Sequence, residues 1–211
     1  MRIVDVIEGS EAWRSWRAEG LGSSDAPVLC GVSRYQDLGT LWRKKRARST
    51  EAPPDDLRLA RGRALEPVAR GAVEERLGVT LAARCVEQDL HPMLRASLDG
   101  WSDELRLPVE IKCTSRALHA EATAGRLPRR FAPQLLHILA VTGAERVLYA
   151  SYQPDGVPKA RALALLEIPR DRSLCDQLQR AELEFWRAVV EGTPPRVATL
   201  PLVQLVARRI A

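Results

Sequence analysis

The chain has 211 residues, of which 45% are apolar and 28% charged; this is ordinary folded-domain composition and excludes collagenous or disordered classes, so a single domain over residues 1–211 with a substantial core is expected. The net charge of +5 and pI of about 9.3 favour a polyanionic partner. No apolar run reaches the length of a membrane span, acidic residues interrupt Met1–Ser10 where a signal peptide would be apolar, and Cys30, Cys85, Cys113 and Cys175 lack the spacing of a zinc site or disulfide framework. The expected setting is therefore a reducing cytoplasm, with no membrane partner.

In chain order, Ser10 is placed to cap a short helix carrying Trp13, Trp16 and Arg17. Gly20-Leu21-Gly22-Ser23-Ser24-Asp25 then forms a turn into a helix over Ala26–Leu29. Ser24 there either caps that helix or touches a phosphate. From Leu38 a basic helix holds Leu41, Trp42, Arg43, Lys44, Lys45, Arg46 and Arg48. Its cations read as a solvated face or as a phosphate track, with Trp42 buried. Residues 49–56 read as a mobile loop.

Leu57–Leu77 shows helical spacing at Leu65, Val68, Ala69, Ala72, Val73 and Leu77, and Gly78 stops it. Pro67 lies in its interior, and Glu66 stands beside Leu65, where a carboxylate can turn inward. Val79–Glu87 reads as a strand, followed by a turn at His91-Pro92. Helices are expected over Ser115–Ala124 and Pro128–Thr142, the second placing Gln134 on the side of Ile138. Strands over Arg146–Tyr152 and Arg161–Ile168 flank a turn at Pro154-Asp155-Gly156. A long amphipathic helix follows over Arg170–Glu191. The tail Val197–Ala211 reads as a short helix that docks or mediates assembly. The order of elements predicts an α/β fold with a mixed central sheet flanked by helices.

The chemistry concentrates between Leu94 and Cys113. Asp99 ends the apolar run Leu94–Leu98, and Val109-Glu110-Ile111-Lys112-Cys113 follows Pro108. Two strands joined by a polar turn at Ser102-Asp103-Glu104 fit this pattern. Alternation then puts Glu110 and Lys112 on one face and Ile111 on the other, and a hairpin brings Asp99 beside Glu110. Carboxylates hold Mg²⁺ as hard oxygen ligands, and an adjacent lysine steers or deprotonates a water near a phosphate. The set suits metal-dependent phosphodiester hydrolysis; a solvated hairpin with a surface ion pair fits the same residues. The chain has 28 Arg but only four Lys, so a generic surface cation at position 112 would more often be Arg. Unlike Arg, Lys can serve as a base.

Several pieces then fall into one order: Trp16-Arg17, Gly20 to Asp25, Gly62 to Arg70 around Glu66-Pro67, Ser97-Leu98-Asp99-Gly100, Val109 to Cys113, Phe131 to Gly143 with Gln134, and Phe185-Trp186 before Thr193-Pro194-Pro195. Over roughly residues 10–195 the chain resembles the YqaJ-type phage recombinases, the lambda exonuclease family of the PD-(D/E)xK nuclease superfamily. The resemblance implies a restriction-endonuclease-like fold. It assigns Glu66, Asp99 and Glu110 to the acidic metal cluster, with the carbonyl of Ile111 as a further ligand. Lys112 becomes the catalytic lysine, and Gln134 the glutamine of the family's Gln-containing helix. Arg17 and Ser24 match positions that bind a 5′-phosphate. The chain departs from the family in carrying Leu136 where a second Gln is common, and the loop 49–56 is not a family hallmark.

The activity implied is a Mg²⁺-dependent exonuclease, with Mn²⁺ as an alternative metal. It would resect linear duplex DNA ends 5′ to 3′ in phage-type recombination. An endonuclease of the same superfamily and a non-catalytic DNA-end-binding protein are the rival readings. The implied partners are double-stranded DNA ends and a single-strand annealing protein, and the implied assembly is a homotrimer that encircles DNA.

Overall fold

The computed structural model describes residues 1–51, 57–195 and 208–210. Among these, β1 (Arg2–Val4), β3 (Arg84–Glu87), β4 (Leu94–Leu98) and β2 (Leu21–Gly22) form a four-stranded sheet in that order. A five-stranded sheet follows the order β5 (Gly100–Ser102), β6 (Leu107–Cys113), β7 (Arg146–Tyr152), β8 (Leu163–Pro169) and β9 (Arg208–Ile210). Both sheets are mixed: β2 runs parallel to β4, and β6 runs parallel to β7, while the other pairs are antiparallel. The expected single sheet is thus two. The chain crosses from one to the other at Asp99, between β4 and β5. Gly100 permits the crossing, because a Cβ there would sit 3.2 Å from Leu81 and 3.4 Å from Val109.

The helices are α1 (Glu11–Ala18), α2 (Ala26–Leu29), α3 (Leu38–Arg46), α4 (Leu57–Leu77), α5 (Arg116–Thr123), α6 (Ala132–Thr142) and α7 (Arg172–Glu191). Ser10 caps α1 as expected, its hydroxyl accepting from the Trp13 N–H at 3.1 Å. Ser24 does not cap α2. Asp25 holds the N-cap position, and its carboxylate accepts from the Gly22 N–H at 2.9 Å. The expected strand over Val79–Glu87 shortens to β3, and the helix expected from Pro128 begins as a 3₁₀ turn over Arg129–Phe131. In α4, Ala69 and Val73 are buried, whereas Val68 is 55% exposed despite its apolar spacing. Of the loop 49–56, residues 52–56 lie outside the described residues. So does the tail expected as a short helix, apart from 208–210, which pair as β9 against β8.

The five-stranded sheet is covered on both faces. On one, Ala69 and Val73 of α4 pack against Val109, Ile111, Leu148 and Ala150. On the other, α6 and α7 pack over Val147 and Tyr149. Strand alternation therefore sends Ile111 toward α4 and Glu110 and Lys112 toward α6. A polar pair emerges on a buried face only where α6 offers it polar partners.

Candidate active site

Those partners are present. Glu110 is 1% exposed, and its Oε1 accepts from both Lys112 Nζ and Gln134 Nε2, the latter at 2.6 Å. Gln134 opens α6 and also reaches the Ser23 hydroxyl at 3.4 Å. The Lys112 ammonium lies 6.0 Å from the centre of the Phe131 ring. Asp99 is half-buried at the sheet crossing, and its Oδ2 accepts from the Ile111 N–H at 2.7 Å. The structure thus brings Asp99, Glu110, Ile111, Lys112 and Gln134 together.

Glu66 approaches from α4, on the other side of the sheet. Its Oε1 takes Arg70 Nη2 at 2.6 Å, one helical turn away, and Arg70 Nε also donates to the Asp99 carbonyl at 2.6 Å. Arg70 therefore ties the Glu66 carboxylate to the Asp99 backbone. Among the described residues no group of three or more His, Cys, Asp or Glu side chains is gathered as a metal cluster.

The electrostatics of the pair favour a cation. Burial, with the Asp99 carboxylate second, pushes the Glu110 carboxyl up to about 8, against the pull of Lys112. Burial raises Asp99 too, against Lys112 and the Ile111 N–H. Glu66 is raised by burial and then by Asp99, with Arg70 opposing. Burial works to lower Lys112, but Glu110 and Asp99 outweigh it and hold it above the ordinary lysine value. Two desolvated carboxylates at one point resist ionising together. Glu110 Oε2 is buried and, among the described residues, has no hydrogen-bond partner. An orphaned carboxylate oxygen beside a second carboxylate is a donor set that fits Mg²⁺, a hard ion commonly held by one or two carboxylates.

A second cluster lies beside this one. Arg17 Nη2 donates to the Ser24 hydroxyl at 2.6 Å, and the guanidinium stacks 4.9 Å from the centre of the Trp13 ring. They line a cavity of about 560 Å³ together with Glu8, Arg14, Lys44 and Arg63. Gly22 makes room for Arg17, since a Cβ there would fall 2.9 Å from Arg17 Nη2. The four-residue α2 offers no extended helix start to this cavity.

The basic helix α3 divides. Arg43 and Lys44 are exposed, but Lys45, expected with them as a wet cation, is 8% exposed. Its ammonium pairs with Asp25 at 2.8 Å and donates to the Arg17 carbonyl at 3.1 Å. Burial pushes Lys45 below the ordinary lysine value, against Asp25. This lysine shores up the Arg17 turn instead of facing solvent.

Sequence reasoning passed over three neighbours. Ser97 precedes Asp99 by two residues, and its hydroxyl accepts from Trp13 Nε1 at 2.8 Å; strand alternation from Asp99 was the available signal. Tyr149 pairs with Glu110 across β6 and β7, a juxtaposition set by topology alone. Glu8 lines the cavity from a segment with no regular pattern.

This arrangement is of the restriction-endonuclease-like class of α/β folds: mixed sheets with one acid at the crossing between them and Glu-x-Lys on β6. The chain belongs to the YqaJ-like viral recombinase domain family, whose family model matches residues 12–145. It is 25% identical over 185 residues to the uncharacterized protein YqaJ of Bacillus subtilis (strain 168), covering 86% of this chain but 57% of that protein. The chain thus spans little more than half the length of that relative. Its fold is similar to the alkaline exonuclease LHK-Exo of Laribacter hongkongensis, with a TM-score of 0.76, 20% identity, and coverage of 87% of this chain and 94% of that one. LHK-Exo has also been solved in complex with dAMP. A phage related exonuclease from Haemophilus somnus 129PT matches with a TM-score of 0.59 and 12% identity over 82% of this chain and 96% of that one. Among the described residues, no helix is long and apolar enough to cross a membrane.

Proposed function

We propose that this chain is a Mg²⁺-dependent exonuclease that resects linear duplex DNA from its 5′ ends, in phage-type recombination. The observation that carries this reading is the Glu110 carboxylate. One oxygen is held by Lys112 and Gln134, and the other is buried and unpartnered beside Asp99. Membership of a viral recombinase family and the fold of exonucleases support it.

Asp99, Glu110 Oε2 and the Ile111 carbonyl would hold the cation, with Glu66 recruited as Arg70 turns to the DNA backbone. When bound, the metal supplies Lewis acidity to the scissile phosphate and lowers the pKa of a water. Gln134 fixes the Glu110 carboxylate in one rotamer. The Ile111 N–H fixes Asp99 in the same way. Lys112 orients the attacking water and counters charge that develops on the phosphate. Arg17 and Ser24 bind the terminal 5′-phosphate through an Arg fork and a hydroxyl, while Arg43 and Lys44 track the backbone. A fold neighbour crystallised with dAMP, a 5′-mononucleotide, is consistent with this division. Family resemblance further supports a single-strand annealing protein as partner and a homotrimer as assembly.

The test is a duplex labelled at one end of one strand, incubated with Mg²⁺ or with EDTA. The expected result is early release of the 5′ label as mononucleotide, in Mg²⁺ only. Early loss of the 3′ label, or release in EDTA, overturns the reading.

A further inference from the structure

The face of the sheet that carries Glu110 and Lys112 also holds polar groups the mechanism above does not use. β6 and β7 run parallel in register, so Tyr149 stands beside Glu110 and Ser151 beside Lys112. Tyr149 is fully buried, and among the described residues its hydroxyl has no hydrogen-bond partner. Its ring stacks on Phe131 with centroids 5.6 Å apart, the same Phe131 that lies under the Lys112 ammonium. A buried orphan hydroxyl destabilises a fold and calls for an explanation.

The neighbouring polar groups on that face are engaged with one another. His119 Nε2 is 2.7 Å from the Arg161 carbonyl, which can only accept, so Nε2 carries the proton. His119 Nδ1 then accepts from the Ser151 hydroxyl at 2.9 Å. With its proton committed to His119, Ser151 accepts from the Thr114 hydroxyl at 2.8 Å. The Tyr149 hydroxyl takes no part in that network, and its oxygen is left for a donor on the Lys112 side. Burial raises the Tyr149 pKa, and the Lys112 ammonium opposes it.

In the present arrangement Lys112 sits on Glu110, the carboxylate assigned to hold a dication. An ammonium there repels the incoming charge and needs another acceptor within reach of its stem. We infer that Tyr149 is a positioning residue whose hydroxyl is the second station of the Lys112 ammonium, occupied when Glu110 is given over to the metal. The inference rests on the nuclease reading of Glu110 and Lys112.

The test is Tyr149→Phe in the full chain, a change that keeps the ring stack and removes only the orphan hydroxyl. Four quantities are measured: the melting temperature without metal, the Mg²⁺ concentration giving half the maximal thermal shift, and kcat and KM on linear duplex. The expected variant melts no lower than the parent without metal and needs roughly tenfold more Mg²⁺. Its kcat falls roughly tenfold with KM for DNA ends unchanged, the scale of one lost hydrogen bond to a charged group. A purely structural tyrosine would lower the metal-free melting temperature and leave the other quantities in place, which overturns the inference. Parental Mg²⁺ dependence and kcat in an active enzyme overturn it too, and leave the nuclease reading standing. A parent chain that neither responds to Mg²⁺ nor digests DNA removes both.

Discussion

Asp99 Oδ2 accepts the Ile111 backbone N–H at 2.7 Å, and this bond ties the residue at the sheet crossing to the strand bearing Glu110 and Lys112. Ile111 points its side chain into the α4 core while its N–H serves the site. Packing on one face thereby sets the spacing of two carboxylates on the other.

Asp99→Asn retains an oxygen to accept that N–H and loses only the charge. The variant is expected to keep its fold and DNA binding, and to melt no lower than the parent, because Asp99 and Glu110 no longer compete to ionise. Cleavage should fall by roughly 10²-fold or more, since an amide is a poor Mg²⁺ ligand. Parental digestion by the purified variant would mean that Asp99 only braces the strand.

Lys112→Arg keeps a positive charge but replaces a compact ammonium with a planar fork that stays protonated. The pocket between Glu110 and Phe131 is shaped for the former. Turnover is expected to drop by about 10²-fold, measured as initial rate on linear duplex. Near-parental turnover would reduce Lys112 to a structural counter-ion for Glu110.

Arg17→Ala should slow digestion of 5′-phosphorylated duplex roughly ten- to a hundredfold more than of 5′-hydroxyl duplex, the worth of a charge-assisted hydrogen bond. Ser24→Ala should act in the same direction with a smaller effect. A Cβ from Gly22→Ala would meet the Arg17 guanidinium first, so the variant should reproduce the Arg17→Ala preference at little cost in melting temperature. Equal slowing on both substrates would assign this turn a structural role only.

His137 supplies a pH signature separate from the Asp99–Glu110 pair. It is fully buried, with Nδ1 2.7 Å from Glu182 Oε1 and Nε2 2.8 Å from the Arg95 carbonyl. Both neighbours accept, so the doubly protonated ring satisfies them together. Burial works to lower its pKa, yet Glu182 and the Arg95 carbonyl outweigh burial and raise it above the ordinary histidine value. The stability from this pair is fully present below about pH 6.5 and is lost as pH rises through the elevated folded value. Melting temperature should therefore decline as pH rises above about 6.5 in the parent, and His137→Gln should lose that component of the slope. Identical slopes would show that the ring is neutral throughout.

The pattern of Glu110, Ile111 and Lys112 was legible because strand alternation is a local rule, and the resemblance supplied its neighbours in order. The turn holding Arg17 and Ser24 was legible as a place, but its support was not. Lys45 read as a surface cation because its partner Asp25 lies 20 residues away in sequence and meets it only through packing. The Glu66–Arg70 pair has the i, i+4 spacing of a helical ion pair, a local signal that competed with the expectation of an inward carboxylate. The division into two sheets rests on a short crossing at Asp99 and Gly100, and no periodicity marks where hydrogen bonding changes sheets. The burial of Tyr149 against Glu110 depends on β6 and β7 pairing in parallel across the intervening α5 and α6, which is a property of topology.

The most direct measurement is digestion of matched linear and covalently closed duplex DNA by the parent chain and by Asp99→Asn, with Mg²⁺ or EDTA. The account predicts that the parent degrades the linear form to mononucleotides in Mg²⁺ and leaves the closed circle intact. EDTA and Asp99→Asn should each abolish degradation while DNA ends are still bound. Cutting of the closed circle would contradict end-dependent action, and binding of linear DNA without shortening would contradict catalysis at Asp99 and Glu110.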